Sequence, residues 1–232
     1  MKLFDYAKNV YSQNGEDGII EELLTSLDLT QGTMVEFGGW DGVYLSNVLH
    51  HWMHKDFNVI SIESDAARSN EAKRAFESYD SYTCVHSMIS SNGQDENSID
   101  NILEREGVVP EELVLMCIDV DGEDYNIFKS IEKYRPIILI IEDSVEEHMT
   151  QIEEMGYKFV AWTGNAIFVR DDYKTDYDDV DFSSESEFLK YDGHMPQKIG
   201  RDGELLEDIY YLRTSYKDLI KTTKDELINA II

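Results

Sequence analysis

Residues 33–47 read TMVEFGGWDGVYLSN, and the fold class turns on them. A short apolar run, Met34-Val35-Glu36-Phe37, reads as a buried strand. It stops at Gly38-Gly39, passes Trp40-Asp41-Gly42, and is expected to enter a helix near Tyr44. Glycines at the carboxyl end of a strand let backbone approach a ligand closely. In an open parallel sheet that edge is where small molecules bind, and the free N–H groups of a following helix suit a carboxylate or phosphate. The stretch therefore predicts a nucleotide-type site. Its spacing is not G-x-G-x-x-G, so a dinucleotide is not the first expectation. In isolation an ordinary strand–turn–helix connection would read the same way.

Outward from this stretch, strands and helices alternate. The pattern predicts a helix over 44–55 and a strand over 58–63 that ends in Glu63. A helix over 65–79 and a strand over 82–89 follow. In nucleotide-binding α/β folds an acid at the position of Glu63 takes ribose hydroxyls through charge-assisted hydrogen bonds. A helix over 98–106 precedes LVLMCIDV at 113–120, a continuous apolar run that suits a central strand covered on both faces. It ends in four acids around one glycine, Asp119, Asp121, Glu123 and Asp124, where crowding of like charge raises carboxyl pKa values unless a cation binds. A helix closing over 128–134, a strand over 136–141 ending in Glu142-Asp143, and a helix over 145–155 come next. Two strands over 157–163 and 166–170 are joined by Gly164-Asn165, a hairpin signal. Such alternation argues a mostly parallel sheet with helices on both faces and a terminal antiparallel hairpin.

The flanks are less regular. Residues 1–11 carry a loosely helical apolar pattern. Residues 12–17, SQNGED, precede the helical periodicity of Ile19, Ile20, Leu23, Leu24 and Leu27. N-capping by Asn14 or Asp17 explains part of that polar segment. His50 and His54 lie four apart on the expected 44–55 helix, a spacing that metal ligands use, although no acid is interleaved and solvated histidines are the default. Residues 171–187 hold eight acids and one base and read as a solvated loop. A helix is expected over 203–221, with Leu205, Leu206, Ile209 and Leu212 on its apolar face.

The chain has 232 residues, with 20 Lys and Arg against 48 Asp and Glu, a formal charge of −28. Such a surface repels nucleic acid and anionic membrane at long range. It would not repel a neutral sugar or a cationic cofactor. Cys84 and Cys117 fall in apolar runs and read as buried free thiols in a reducing, cytoplasmic compartment. No apolar run is long enough to span a bilayer.

Four stretches in this order resemble class I S-adenosylmethionine-dependent methyltransferases, and more narrowly the FkbM family: SQNGED at 12–17, VEFGGWDGVYLSN at 35–47, CIDVDGED at 117–124 and TGNAIFVR at 163–170. The family usually shows I-D-V-E-G where this chain has Asp121 in place of Glu, a shorter carboxylate arm. The resemblance implies a Rossmann-like methyltransferase domain over 1–170, with the 1–30 segment carrying SQNGED; residues 171–232 fall outside the match, and the sequence leaves open whether this extension packs on the sheet, covers the site or mediates homo-oligomer formation. It implies S-adenosyl-L-methionine as cofactor. The cofactor-binding residues would then be Gln13, Glu36, Gly38, Gly39, Asp41, Glu63, Met88 and Asp119. Among them, Gly38, Gly39 and Asp41 would lie against the methionine part, Glu63 at the ribose, and Met88 and Ile89 at the adenine. Ser12 and Gln13 would close over the cofactor carboxylate, with Glu16 and Asp17 facing the acceptor. The implied acceptor class is a hydroxyl on a sugar, a glycan or a small molecule.

Asp119, Asp121 and Glu142, with His86 as a weaker candidate, are the expected bases for removing that hydroxyl's proton. A likeness to cation-dependent O-methyltransferases makes Asp119, Glu142 and Asp143 candidate ligands for Mg²⁺. The competing reading of Glu142 and Asp143 is a cap for the helix that follows. An RNA 2′-O-methyltransferase would need lysines and a basic approach surface, which this charge balance opposes, and a non-catalytic binding protein on the same scaffold is the remaining alternative.

Overall fold

The computed structural model describes residues 3–177 apart from 144, together with two short strands, Lys198–Ile199 and Leu205–Leu206. Seven strands form one sheet: β1 (Gln31–Phe37), β2 (Asp56–Glu63), β3 (Tyr82–His86), β4 (Leu113–Ile118), β5 (Ile138–Ile141), β6 (Tyr157–Trp162) and β7 (Ala166–Arg170). Their order is β3-β2-β1-β4-β5-β7-β6. All neighbours from β3 to β5 pair in parallel, and β7 pairs antiparallel with both β5 and β6. The 3-2-1-4-5 part is that of a doubly wound sheet whose order reverses between β1 and β4. The hairpin expected from Gly164-Asn165 enters at the edge and inserts β7 before β6. This is a Rossmann-like architecture, mostly parallel with a terminal antiparallel hairpin.

Among the described residues six helices cover the sheet: α1 (Glu16–Ser26), α2 (Leu49–His54), α3 (Ala66–Phe76), α4 (Ile99–Arg105), α5 (Asp124–Lys129) and α6 (Glu146–Glu154). Successive strand side chains point to opposite faces, and both faces are apolar here. Met34, Val59, Leu115 and Ile138 meet Ile19, Leu23, Leu49, Trp52 and Phe76 of α1, α2 and α3. Val35, Ile60, Met116 and Leu139 meet Ile102, Phe128 and Ile152 of α4, α5 and α6. Burial on both faces is why the central strands read as unbroken apolar runs. Glu36 breaks the pattern, facing the α1–α2 side two residues on from Met34.

The structure departs from the sequence reading where loops leave the strands. The helix expected over 44–55 is only α2, and residues 38–48 form an extended loop. Gly42 at φ 78 and Leu45 at φ 56 occupy left-handed conformations that a right-handed helix cannot include. Ser46 Oγ then accepts from the N–H groups of Val48 and Leu49 at 3.3 and 3.1 Å and starts the helix. The N-terminus of α2 is therefore eleven residues on from Gly38 rather than directly after the glycines. The loosely helical 1–11 segment is a single 3-10 turn, Leu3–Tyr6, and the helix expected to close over 128–134 starts and ends earlier, as α5. Leu205–Leu206, expected in a helix, pair antiparallel with Lys198–Ile199; the rest of that expected helix, and the end of the acidic loop, lie outside the described residues.

Gly38 decides how closely β1 and β4 can approach at their carboxyl ends. It sits at φ 71, and a Cβ there would overlap the carbonyl oxygen of Asp119. The glycine serves the protein's own backbone as well as any ligand. Gly38→Ala is therefore expected to lower stability by about 2–4 kcal/mol, from a strained left-handed residue and a displaced β4 end. Urea unfolding measures it, and a loss below about 1 kcal/mol would mean that the loop rearranges freely.

Candidate functional site

The carboxyl ends of β1, β2, β3, β4 and β5 open on one cleft of about 670 Å³, within the range of small-molecule sites. Of the residues singled out from sequence, Gln13, Glu36, Gly38, Gly39, Glu63, Met88, Asp119, Asp121 and Glu142 line it. Asp41 and Asp143 do not. Asp41 Oδ1 accepts from the N–H groups of Val43 and Tyr44 at 3.1 and 2.8 Å, so it ties the glycine loop and leaves the wall to others. The lining holds seven carboxylates, Glu36, Glu63, Asp65, Asp119, Asp121, Glu123 and Glu142, and no Lys, Arg or His.

Glu63, at the tip of β2, joins two loops. Its Oε2 accepts from Trp40 N–H at 2.9 Å, and its Oε1 accepts from Asp65 N–H at 2.6 Å and Ser64 Oγ at 3.3 Å. A carboxylate offers about four lone-pair directions, so a ligand hydroxyl would share Glu63 with the chain. Trp40 itself sits at φ 48 with the Arg68 guanidinium 4.4 Å over its ring, and Tyr44 lies 6.3 Å from it. Met88, beyond β3, is 75% exposed, an unusual place for a long apolar side chain unless something covers it. His86, the weaker candidate base, lies outside the lining, with its Nε2 3.0 Å from the carbonyl of the lining residue Ser64.

Glu36 forms part of the floor. It is fully buried, and burial pushes its carboxyl up to about 7, with the nearby Asp17 acting in the same direction. Ser46 Oγ donates to Oε2 at 2.8 Å and Asn47 N–H to Oε1 at 2.6 Å, which opposes the shift. Cys117 is paired in register with Glu36 and is buried; desolvation, then the charges of Glu36 and Asp119, hold its thiol well above the ordinary range.

The four acids after β4 separate by role. Asp124 is buried and accepts from Val120 N–H through Oδ1 and Gly122 N–H through Oδ2, both at 2.8 Å, so it folds the loop. Asp119, Asp121 and Glu123 face the cleft. Asp119 and Glu142 share a carboxyl–carboxylate hydrogen bond. Burial and then the neighbouring Asp119 charge push Glu142 up to about 7; burial also raises Asp119. This pair holds a proton near neutral pH and can release it.

The expected metal set is not assembled. Asp143 Oδ1 accepts from Val145 N–H at 2.8 Å and its Oδ2 binds His148 Nδ1 at 2.7 Å, so it ties the loop to α6 without capping a free helix amide. No group of three or more His, Cys, Asp or Glu among the described residues could hold a metal ion. The residues present do not fit Mg²⁺, and the paired His50 and His54 rings, 4.8 Å apart, do not supply a second site.

The 12–17 segment is also redistributed. Asp17 is buried, and its Oδ2 accepts from the N–H groups of Val10, Tyr11 and Ser12 at 2.7, 2.7 and 2.9 Å, while Ser12 Oγ accepts from Asp17 N–H at 3.0 Å. Glu16 accepts from Asn14 N–H at 2.7 Å and from Thr163 Oγ1 at 2.9 Å. These acids staple the segment to α1 and to β6, rather than facing an acceptor, and leave Gln13 against the cleft. Neither Asn14 nor Asp17 caps α1, whose N-cap is Gly15; the acids of SQNGED instead tie the segment that precedes the helix. Sequence reasoning missed Trp40, Tyr44, Asn47, Asp65 and Cys117 as wall residues. Period two from Asp119 would have found Cys117; nothing in the sequence gives the loop path that brings in Asn47.

No protein-family model matches the chain, so the FkbM resemblance rests on its four stretches, and no curated protein matches either. Solved structures do. The CurJ carbon methyltransferase has a TM-score of 0.48 at 11% identity, covering 72% of this chain and 56% of that longer one. Precorrin-6y C5,15-methyltransferase from Geobacter metallireducens has 0.44 at 10%, covering 71% and 92%. TrmK from M. capricolum, in complex with the cofactor product S-adenosyl-homocysteine, has 0.44 at 11%, covering 89% and 96%. At these identities the likeness concerns the fold. No helix among the described residues is long and apolar enough to cross a membrane.

Glu36 gives a pH prediction. Its folded pKa lies above its unfolded value, so between about pH 4.5 and 7 the folded state keeps a proton that the unfolded state has lost. Its burial costs nothing below that window. The cost grows as pH rises through it and is complete above about pH 7, reaching on the order of 3 kcal/mol. Denaturant melts from pH 4 to 8 should show wild-type stability falling relative to Glu36→Gln across the window; parallel curves would mean that Glu36 keeps an ordinary pKa.

Proposed function

We propose that the chain is an S-adenosylmethionine-dependent O-methyltransferase acting on a hydroxyl of a sugar, a glycan or a small molecule. The observation that carries this reading is the charge of the cleft. Strand-end sites that take phosphorylated nucleotides offer cations or helix N-termini to the phosphates. Among the described residues this one offers seven carboxylates and no basic side chain. An adenosyl sulfonium carries the opposite charge and no phosphate, and the acidic lining suits it.

The residues fit such a ligand. Glu63, held at the end of β2, is positioned to share a ribose hydroxyl. Met88 and Ile89 offer apolar cover for a base, and Gln13 overhangs the cleft from the amino-terminal segment. When bound, the cofactor supplies an activated methyl group, so the chain's task is chiefly to orient the acceptor and take its proton. Asp119 and Glu142 are the groups for that task. At pH values below about 7 their shared proton blocks the base; above it the pair can accept the hydroxyl proton as the methyl group is transferred. Asp121 stands in the same wall and adds negative potential that favours a neutral or cationic acceptor over a nucleic acid.

Calorimetry with S-adenosylhomocysteine tests the site. Saturable wild-type binding weakened about tenfold or more by Glu63→Ala is expected; no binding by the wild type would end the proposal. Methyl transfer from radiolabelled S-adenosylmethionine to a panel of neutral glycans and small alcohols tests the chemistry. Asp119→Ala should bind cofactor but turn over at least about a hundredfold more slowly. The wild-type rate should rise with pH through about 7. Wild-type-like turnover by Asp119→Ala would remove it from the mechanism.

A further inference from the structure

Behind the cleft, two buried polar atoms face each other, one on α1 and one on α2. Asp17, in the first turn of α1, is fully buried, and its Oδ2 gathers the N–H groups of Val10, Tyr11 and Ser12. Its Oδ1 has no hydrogen-bond partner. His51, in α2, is 1% exposed, and its Nε2 has none either. These two atoms lie 4.0 Å apart, within ion-pair reach and about 1 Å beyond a hydrogen bond. Burial, then the charges of His50 and Lys55, hold the His51 ring well below the ordinary histidine range. Near pH 7 it is therefore a neutral imidazole with one proton to place. Turning the ring over would present a carbon to the buried carboxylate, so Asp17 selects both the ring orientation and the tautomer with its proton on Nε2. Unpaired buried groups are costly, and an Nε2–H aimed at Oδ1 relieves both at once.

Asp17 bears on the cleft through Gln13. Among the described residues that precede β1, Gln13 alone lines the cleft. Its neighbours seat it. Ser12 is tied to Asp17 through both its N–H and its Oγ, Asn9 Nδ2 donates to the Gln13 carbonyl at 2.8 Å, and Asn14 N–H donates to Glu16. We propose that His51 is a positioning residue: by facing Asp17 Oδ1 it fixes the carboxylate that gathers residues 10–12, and so holds Gln13 over the bound ligand. His51 is not part of the cleft lining and touches no ligand itself. Its helix follows directly on the 38–48 loop, whose Ser46 and Asn47 bind Glu36 in the floor, so the contact also joins the amino-terminal segment to that wall. The proposal rests on the S-adenosyl reading of the cleft and adds to it a residue that acts from behind the wall.

A double-mutant cycle, read by calorimetry with S-adenosylhomocysteine, tests it. Gln13→Ala and His51→Leu should each weaken binding by about tenfold. In the Gln13→Ala background His51→Leu should add less than about twofold, because both changes remove one and the same contact. His51→Gln, whose amide N–H reaches about as far as Nε2, should bind within about threefold of wild type. A histidine that only fills space would give another result: losses that add across the cycle, or no loss of binding at all. Nitrogen NMR of the wild type reads the tautomer directly and needs no variant to fold; a His51 proton on Nδ1 would overturn the proposal. Additive losses, undiminished binding by either single variant, or a His51→Gln as weak as His51→Leu would overturn it too, and would leave the S-adenosyl reading standing. A wild type that does not bind S-adenosylhomocysteine would sink that reading and this proposal with it.

Discussion

The backbone contact between the ends of β1 and β4 is the constraint from which the site follows. Order reverses between these two strands, so their carboxyl ends border a crevice. Gly38 lets the two chains touch there, since any side chain would strike the Asp119 carbonyl. The contact sets the height at which both loops leave the sheet. It puts Glu36 and Cys117 opposite each other in the floor and leaves Asp119 at the rim beside Glu142. Moving either end would separate the floor from the rim.

The acids of this chain do different work according to what surrounds them. Asp17, Asp41, Asp124 and Asp143 accept backbone N–H groups and fold loops or helix ends. Glu36 is buried with few donors and is pushed towards neutrality. Asp119 and Glu142 hold a proton between them because burial, and then the contact of two carboxylates, disfavours ionising both. Residue type alone does not separate these roles; the burial of each carboxylate and the partners it meets do.

The Rossmann-like sheet was legible because both of its faces are covered. Central strands such as 113–118 read as continuous apolar runs, helices intervene at regular intervals, and Gly164-Asn165 marks the hairpin. Glu63 and Asp119 were legible for the same reason: each is the polar residue at which an apolar strand stops. Loops were less legible. Tyr44 to Asn47 have the composition of a helix start, yet Leu45 turns left-handed to follow the crevice, and only tertiary contacts such as Glu36 with Ser46 and Asn47 stabilise that path.

The sequence by itself determined the alternation of strands and helices, the acidic character and which strand ends carry carboxylates, because these follow from local periodicity and from charges that do not depend on shape. Tertiary structure alone decided which of those carboxylates share one cleft. Asp143 follows Glu142 directly, yet Glu142 meets Asp119 while Asp143 turns to His148 and α6. Adjacent residues leaving a strand point in opposite directions, and which direction faces the crevice depends on strands distant in the chain.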